Sequence, residues 1–220
     1  MIKKIYQDMI AYGENCANQK LTPAKLTSIL RRFVGNSGIS VQTHRDNAVH
    51  RNQVVISGFY DPDEDEANLS SITIYATYHP KQKFIYIKNI DWAQLCIDLI
   101  ECTGHEIVHQ VQYRSREFDV GPHIFVSMSE SDRKRADQEY LGNADEVEAY
   151  GYSIAAEVFL KYAPKELTHR YITRSSLYKV YASAFGREHT IVKNLARFAV
   201  SYYNSLTRGH YVKVSTQLVK

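Results

Sequence analysis

Cysteine is scarce in this chain: Cys16, Cys96 and Cys102 are the three in 220 residues, an odd number with no CxxC spacing. That excludes a disulfide framework and a cysteine-built zinc ribbon, and it points to a reducing, cytoplasmic compartment. Long hydrophobic runs are also missing, since no segment approaches the roughly 20 apolar residues that a membrane span requires. The opening MIKKIYQDMIAYGEN mixes Gln, Asp and Glu into its apolar positions and so lacks the core of a signal peptide. A soluble protein with no membrane partner is expected. There is no internal repeat or low-complexity tract, which sets aside solenoids and linkers. Net charge is low at +3, yet residues 161–220 carry eleven Lys and Arg against Glu166 and Glu188 alone. Such a region can hold a nucleic acid or another acidic partner, although its basic residues are spaced as on solvated helix faces.

With 44% hydrophobic residues, the chain can bury the core of one sizeable domain. Residues 2–15 and 23–34 read as helices, the second opened by Thr22 as N-cap with Pro23 at its first position and closed by Gly35. A β region follows, with strands at 54–60, 71–78 and 83–90; His79 to Gln82 suggest that the last two form a hairpin. The acidic stretch DPDEDEANLS alternates Asp61, Asp63 and Asp65 as a calcium loop does. It lacks the glycine and the final glutamate of that motif, so it is expected to be a solvated loop.

A long helix should begin at Asp91 and Gln94, which have capping-box spacing. Asn143 and Glu146 have the same spacing before a helix reaching about residue 160. A short helix near SDRKRADQEY and two more at 174–185 and 188–206 complete the reading. The expected fold is α+β: a small, mostly antiparallel sheet, then an active-site helix, then a helical C-terminal half. Residues 1–120 hold the N-terminal helices, the sheet and that helix, and 121–220 form a subdomain supplying a further ligand.

His105, Glu106 and His109 spell HExxH inside the long helix. Positions i and i+4 share a helix face. Two imidazoles there can converge on one Zn²⁺, which needs a third protein ligand and keeps one place for water. Glu106 is adjacent to the first imidazole and is the expected general base for the water that the metal acidifies. Gly104, in mid-helix, suggests a close approach to the backbone.

The third ligand has two candidates. At 100° per residue, Val147, Gly151, Ile154, Ala155 and Val158 define a buried face of the second capped helix. Glu148 lies about 60° from its centre, and Asp145 and Glu146 about 120° and 140° away. A core-facing carboxylate needs a partner or a metal, which favours Glu148. His123, in the loop VGPHIF, is the alternative ligand or a residue lining the cleft. Gln112 and Ser115 stand where the longer HExxHxxGxxH motif needs Gly and His. Tyr113 and Tyr140 are the nearest candidates to stabilise an oxyanion, with His189 more remote. Cys102 reads as a small core residue.

GHEIVHQ paired with ADEVEAYGYSIAAEV resembles the zincin metallopeptidase superfamily in its glutamate-ligand, gluzincin-like branch, and within it the ImmA/IrrE type and small bacterial and phage zincin-like proteins. The spacing from His109 to His123 is instead similar to SprT-type proteases, which act on DNA-bound proteins. The resemblance implies one Zn²⁺ per chain and a peptide or protein substrate. It further implies that strand 71–78 or 83–90 offers a free edge to an extended peptide, with 118–141 as a lid.

Overall fold

The structure, a computed structural model, describes residues 2–34, 38–119 and 133–209. It is α+β and divides into two units, Met1–Ile107 and Val108–Lys220, with the boundary inside a continuous helix. Among the described residues no helix is long and apolar enough to cross a membrane.

The first unit begins with α1 (Ile2–Asn15), a two-residue strand β1 (Lys20–Leu21) and α2 (Pro23–Val34). Thr22 caps α2 as expected, its Oγ1 accepting from the Lys25 N–H at 3.2 Å. Three strands, β2 (Ile39–Arg45), β3 (Val54–Tyr60) and β4 (Ile72–Tyr78), form a sheet in the order β2-β4-β3. Ile39 to Arg45 of β2 run parallel to Ile72 to Tyr78 of β4, whereas β3 pairs antiparallel, Val54 opposite Tyr78. The sheet is therefore mixed, not mostly antiparallel. β2 went unpredicted because only Val41 among its residues is buried, so ISVQTHR shows no strong apolar alternation.

The expected hairpin after β4 does not form. β5 (Ile85–Tyr86) is two residues long and pairs with β1, and Ile87–Asn89 form a 3₁₀ turn. Of the two strands expected to offer a free edge, β4 is central and has none, and 83–90 supplies only the two residues Ile85–Tyr86, paired on one side with β1. The DPDEDE stretch is likewise not simply a solvated loop. Pro62–Glu66 form α3, capped by Asp61, and the buried Asp65 accepts hydrogen bonds from the Tyr60 hydroxyl (3.0 Å) and Ser71 Oγ (3.1 Å).

α4 (Trp92–Ser115) opens where the Asp91 side chain accepts from the Gln94 N–H at 3.0 Å. Gln94 turns to Asp98 instead of closing the box. Trp92 anchors α4 on α1: its Nε1 donates to the Met9 carbonyl at 2.8 Å, and a Cβ at Gly13 would fall 2.2 Å from the indole. Only glycine fits there.

The second unit takes the end of α4 and continues with α5 (Arg133–Gly142), α6 (Ala144–Lys161), α7 (His169–Ile172), α8 (Ser176–Phe185) and α9 (Thr190–Thr207). α6 is its axis. Gly151 lets α9 approach, since a Cβ there would lie 2.5 Å from Phe198 Cβ. Edge-on aromatic pairs Tyr152–Tyr202 and Phe159–Tyr203 fill the α6–α9 seam, with ring centroids 5.5 and 5.9 Å apart. α8 covers another side through Tyr181 against Tyr150. α6 is thus buried nearly all round in its middle, from Ala149 to Val158.

Candidate metal centre

Buried polar side chains concentrate on one stretch of α4. Thr103, His105, Glu106, Gln110 and Gln112 are all buried, five of the twelve buried polar or charged residues among those described. Burying so many polar groups within three turns is costly unless each is matched by a partner or a ligand.

His105 and His109 lie one turn apart on α4, which runs unbroken through the unit boundary. With Glu146 of α6 they form a cluster in which one ligand atom from each lies within 4.8 Å of the others. His109 Nε2 is 3.5 Å from Glu146 Oε1. Tetrahedral ligands at ~2.0–2.1 Å from Zn²⁺ are separated by about 3.3 Å, so this spacing suits such an ion. The donor set, two imidazoles and a carboxylate, is also one that zinc accepts. His105, His109 and Glu146 are the residues that fit a metal.

Glu146 replaces Glu148 as the carboxylate beside the imidazole pair, and two assumptions of the sequence reading explain the difference. One was that α6 has a single inward face. It is buried nearly all round, so the face carrying Glu146, Ala149, Ser153 and Glu157 is interior as well. The other was that Glu146 closes a capping box. Asn143 Oδ1 accepts from the Asp145 N–H at 2.9 Å, while the Glu146 side chain goes to His109.

Glu148 has other partners. Its Oε1 accepts from the Tyr202 hydroxyl and its Oε2 from Gln112 Nε2, both at 2.9 Å. Burial, followed by the Glu148 charge, raises the Tyr202 pKa and keeps the phenol a donor. Asp145 forms a two-pronged pair with Arg116 (2.9 and 2.8 Å), and that guanidinium stacks 4.9 Å above the Tyr113 ring. Tyr113 therefore helps to tie the end of α4 to α6.

Tyr140 is brought to the site. Its ring is half exposed while its hydroxyl faces Glu146 and Tyr150, and its pKa is raised by desolvation and then by the Glu146 charge. Burial, then Tyr150 and then the Glu146 charge, raise Tyr181 as well. Glu146 thus stands among phenols that remain protonated. His123 falls outside the described residues, as does 120–132 of the expected lid, whose remainder is largely α5. His189 caps α9, its Nδ1 accepting from the Ile191 N–H at 3.3 Å. Of the basic C-terminal residues, Lys193 pairs with Glu188 at 3.1 Å, and the Arg197 guanidinium lies 5.7 Å from the Phe198 ring.

Within the first unit, β3 passes directly over Glu106. A Cβ at Gly58 would be 2.7 Å from Glu106 Oε1 and Cγ and from Cys102 Sγ. The strand glycine in VVISGFY was the available signal for this approach. Burial, with Glu106 as the next cause, pushes the Cys102 thiol well above its ordinary range, which leaves it a neutral neighbour of the carboxylate. No family model, curated protein or solved structure matches the chain.

Proposed function

We propose that the chain is a zinc-dependent hydrolase that cleaves peptide bonds, with His105, His109 and Glu146 holding the ion and Glu106 as general base. One observation carries the reading: three ligand atoms converge at an HExxH helix turn, from side chains whose charges and lone pairs call for a cation among them. A proton can satisfy the His109–Glu146 pair, but the third convergent donor, His105, favours a divalent ion. When bound, Zn²⁺ would supply Lewis acidity and lower the pKa of a water towards ~7.

This chain's own residues do the rest. Glu106, next in sequence to His105, accepts a proton from the attacking water and returns it to the leaving amine. Buried against the backbone of β3, it has little room to swing away. Tyr140, bonded to Glu146, is the phenol placed to donate to a developing oxyanion. Among the described residues β3 is an edge strand, paired only with β4. An extended peptide adding to that edge would run beside Glu106.

Purified without added zinc, the protein should carry about one equivalent of metal. Glu106→Gln should retain the metal and lose casein or peptide cleavage by roughly 10²–10⁴-fold. Undiminished cleavage in that variant would remove Glu106 from the mechanism.

A further inference from the structure

We propose that Gln112 and Glu148 are positioning residues that lock His109 in the Nδ1–H tautomer and turn its Nε2 lone pair to the ion, an inference that rests on the metal reading above. Gln112 lies on α4 nearly one turn beyond His109, and both its amide atoms are engaged. Its oxygen is 2.9 Å from His109 Nδ1. Its nitrogen is 2.9 Å from Glu148 Oε2 and 3.1 Å from the Asp145 backbone carbonyl oxygen.

The carbonyl decides the proton positions. A backbone oxygen only accepts, so the Gln112 atom facing it must be the NH₂ group. The atom facing the imidazole is then the amide oxygen, which also only accepts, and His109 Nδ1 must carry the hydrogen. In the neutral ring Nε2 is left with its lone pair, and Nε2 is the atom 3.5 Å from Glu146. This assignment holds whatever the protonation of Glu148.

Each partner is itself held. Glu148 is fixed at its other oxygen by the Tyr202 hydroxyl. The Asp145 carbonyl sits in the first turn of α6, pinned by the Asn143 cap and by the Arg116 pair to the Asp145 side chain. Gln112 is buried, so water does not compete for its amide. The effect is a chain of hydrogen bonds, Tyr202 to Glu148 to Gln112 to His109, that fixes the ring's rotation as well as its tautomer.

The test combines imidazole ¹⁵N NMR of the metal-free protein with zinc affinity from chelator competition. Wild-type His109 should carry a hydrogen on Nδ1, whether the ring is neutral or also holds a proton at Nε2 toward Glu146; a neutral ring bare at Nδ1 would overturn the proposal. Gln112→Met should mix the tautomers and weaken zinc by about 10–100-fold. Glu148→Gln, which leaves Gln112 anchored on the Asp145 carbonyl, should weaken zinc less than tenfold. If Gln112→Met binds zinc as tightly as wild type, or Glu148→Gln loses as much affinity as Glu146→Gln, the positioning role is wrong; in the second case Glu148 is itself a ligand. Should Gln112→Met not fold, the wild-type tautomer and the Glu148→Gln affinity still decide. Should wild type take up no zinc, the metal reading falls and the tautomer alone judges Gln112.

Discussion

Glu106, buried on α4, and Glu146 and Glu148, half-buried on α6, stand in contrasting surroundings. Around Glu106 the space is filled: the β3 backbone at Gly58 and the neutral Cys102 thiol lie beside it. Around α6 the restraint is hydrogen bonding, through Gln112, Tyr202, Tyr140 and the Arg116–Asp145 pair. A region held by shape should respond to added volume, and a region held by polar partners to isosteric changes that leave volume alone.

The sharpest test of that contrast is Glu146→Gln. The change is isosteric, yet zinc measured in the purified protein should drop from about one equivalent to near none, since the amide supplies a poor ligand. A variant that keeps its metal would break the comparison at its centre. In the other region a single methyl should suffice. Gly58→Ala is expected to cost about 1–3 kcal/mol in denaturant unfolding, because the Cβ meets the Cys102 thiol and the Glu106 side chain at once. Activity should also fall, through displacement of Glu106.

Two smaller effects sharpen the picture. Burial, then Asp91 and Asp98, push the Cys96 thiol up to about 12. The folded protein therefore keeps this proton where the unfolded chain loses it. Stability should be intact below pH ~8.5 and fall by at most about 1.4 kcal/mol per pH unit above that, until the native thiol also titrates near 12. Cys96→Ala should flatten that stretch of a stability-against-pH curve. Tyr202, its pKa raised by burial and Glu148, adds a loss of the same sign that begins only near pH ~10. Smallest is Tyr202→Phe, which removes one donor to Glu148 and should cost about 1 kcal/mol at neutral pH, measured by urea unfolding.

Local signals in the sequence proved sound where local physics governs. Thr22, Asp91 and Asn143 start the helices they were expected to start, and the HExxH imidazoles share a helix face. The errors arose where partners distant in sequence decide. β5 pairs with Lys20 and Leu21 instead of its neighbour β4, a choice that no turn residue announces. Glu146 was read as a cap because its local role was plausible, and Glu148 as inward because one face of α6 was taken as the only interior. Gln112 carried no signal at all: a buried glutamine matters here through an acceptor 33 positions further along, at Asp145.

The order of strands in the sheet has a consequence for how the protein is made. Both β2 and β3 hydrogen-bond to β4, which is synthesised last of the three. Until Tyr78 has left the ribosome, the growing chain displays two strands with no partner in this sheet, Val54 and Tyr60 among their uncovered apolar residues. Such edges recruit other chains. Pausing of translation just ahead of Ile72 should therefore be the point at which the nascent protein is most prone to aggregate and most dependent on a chaperone.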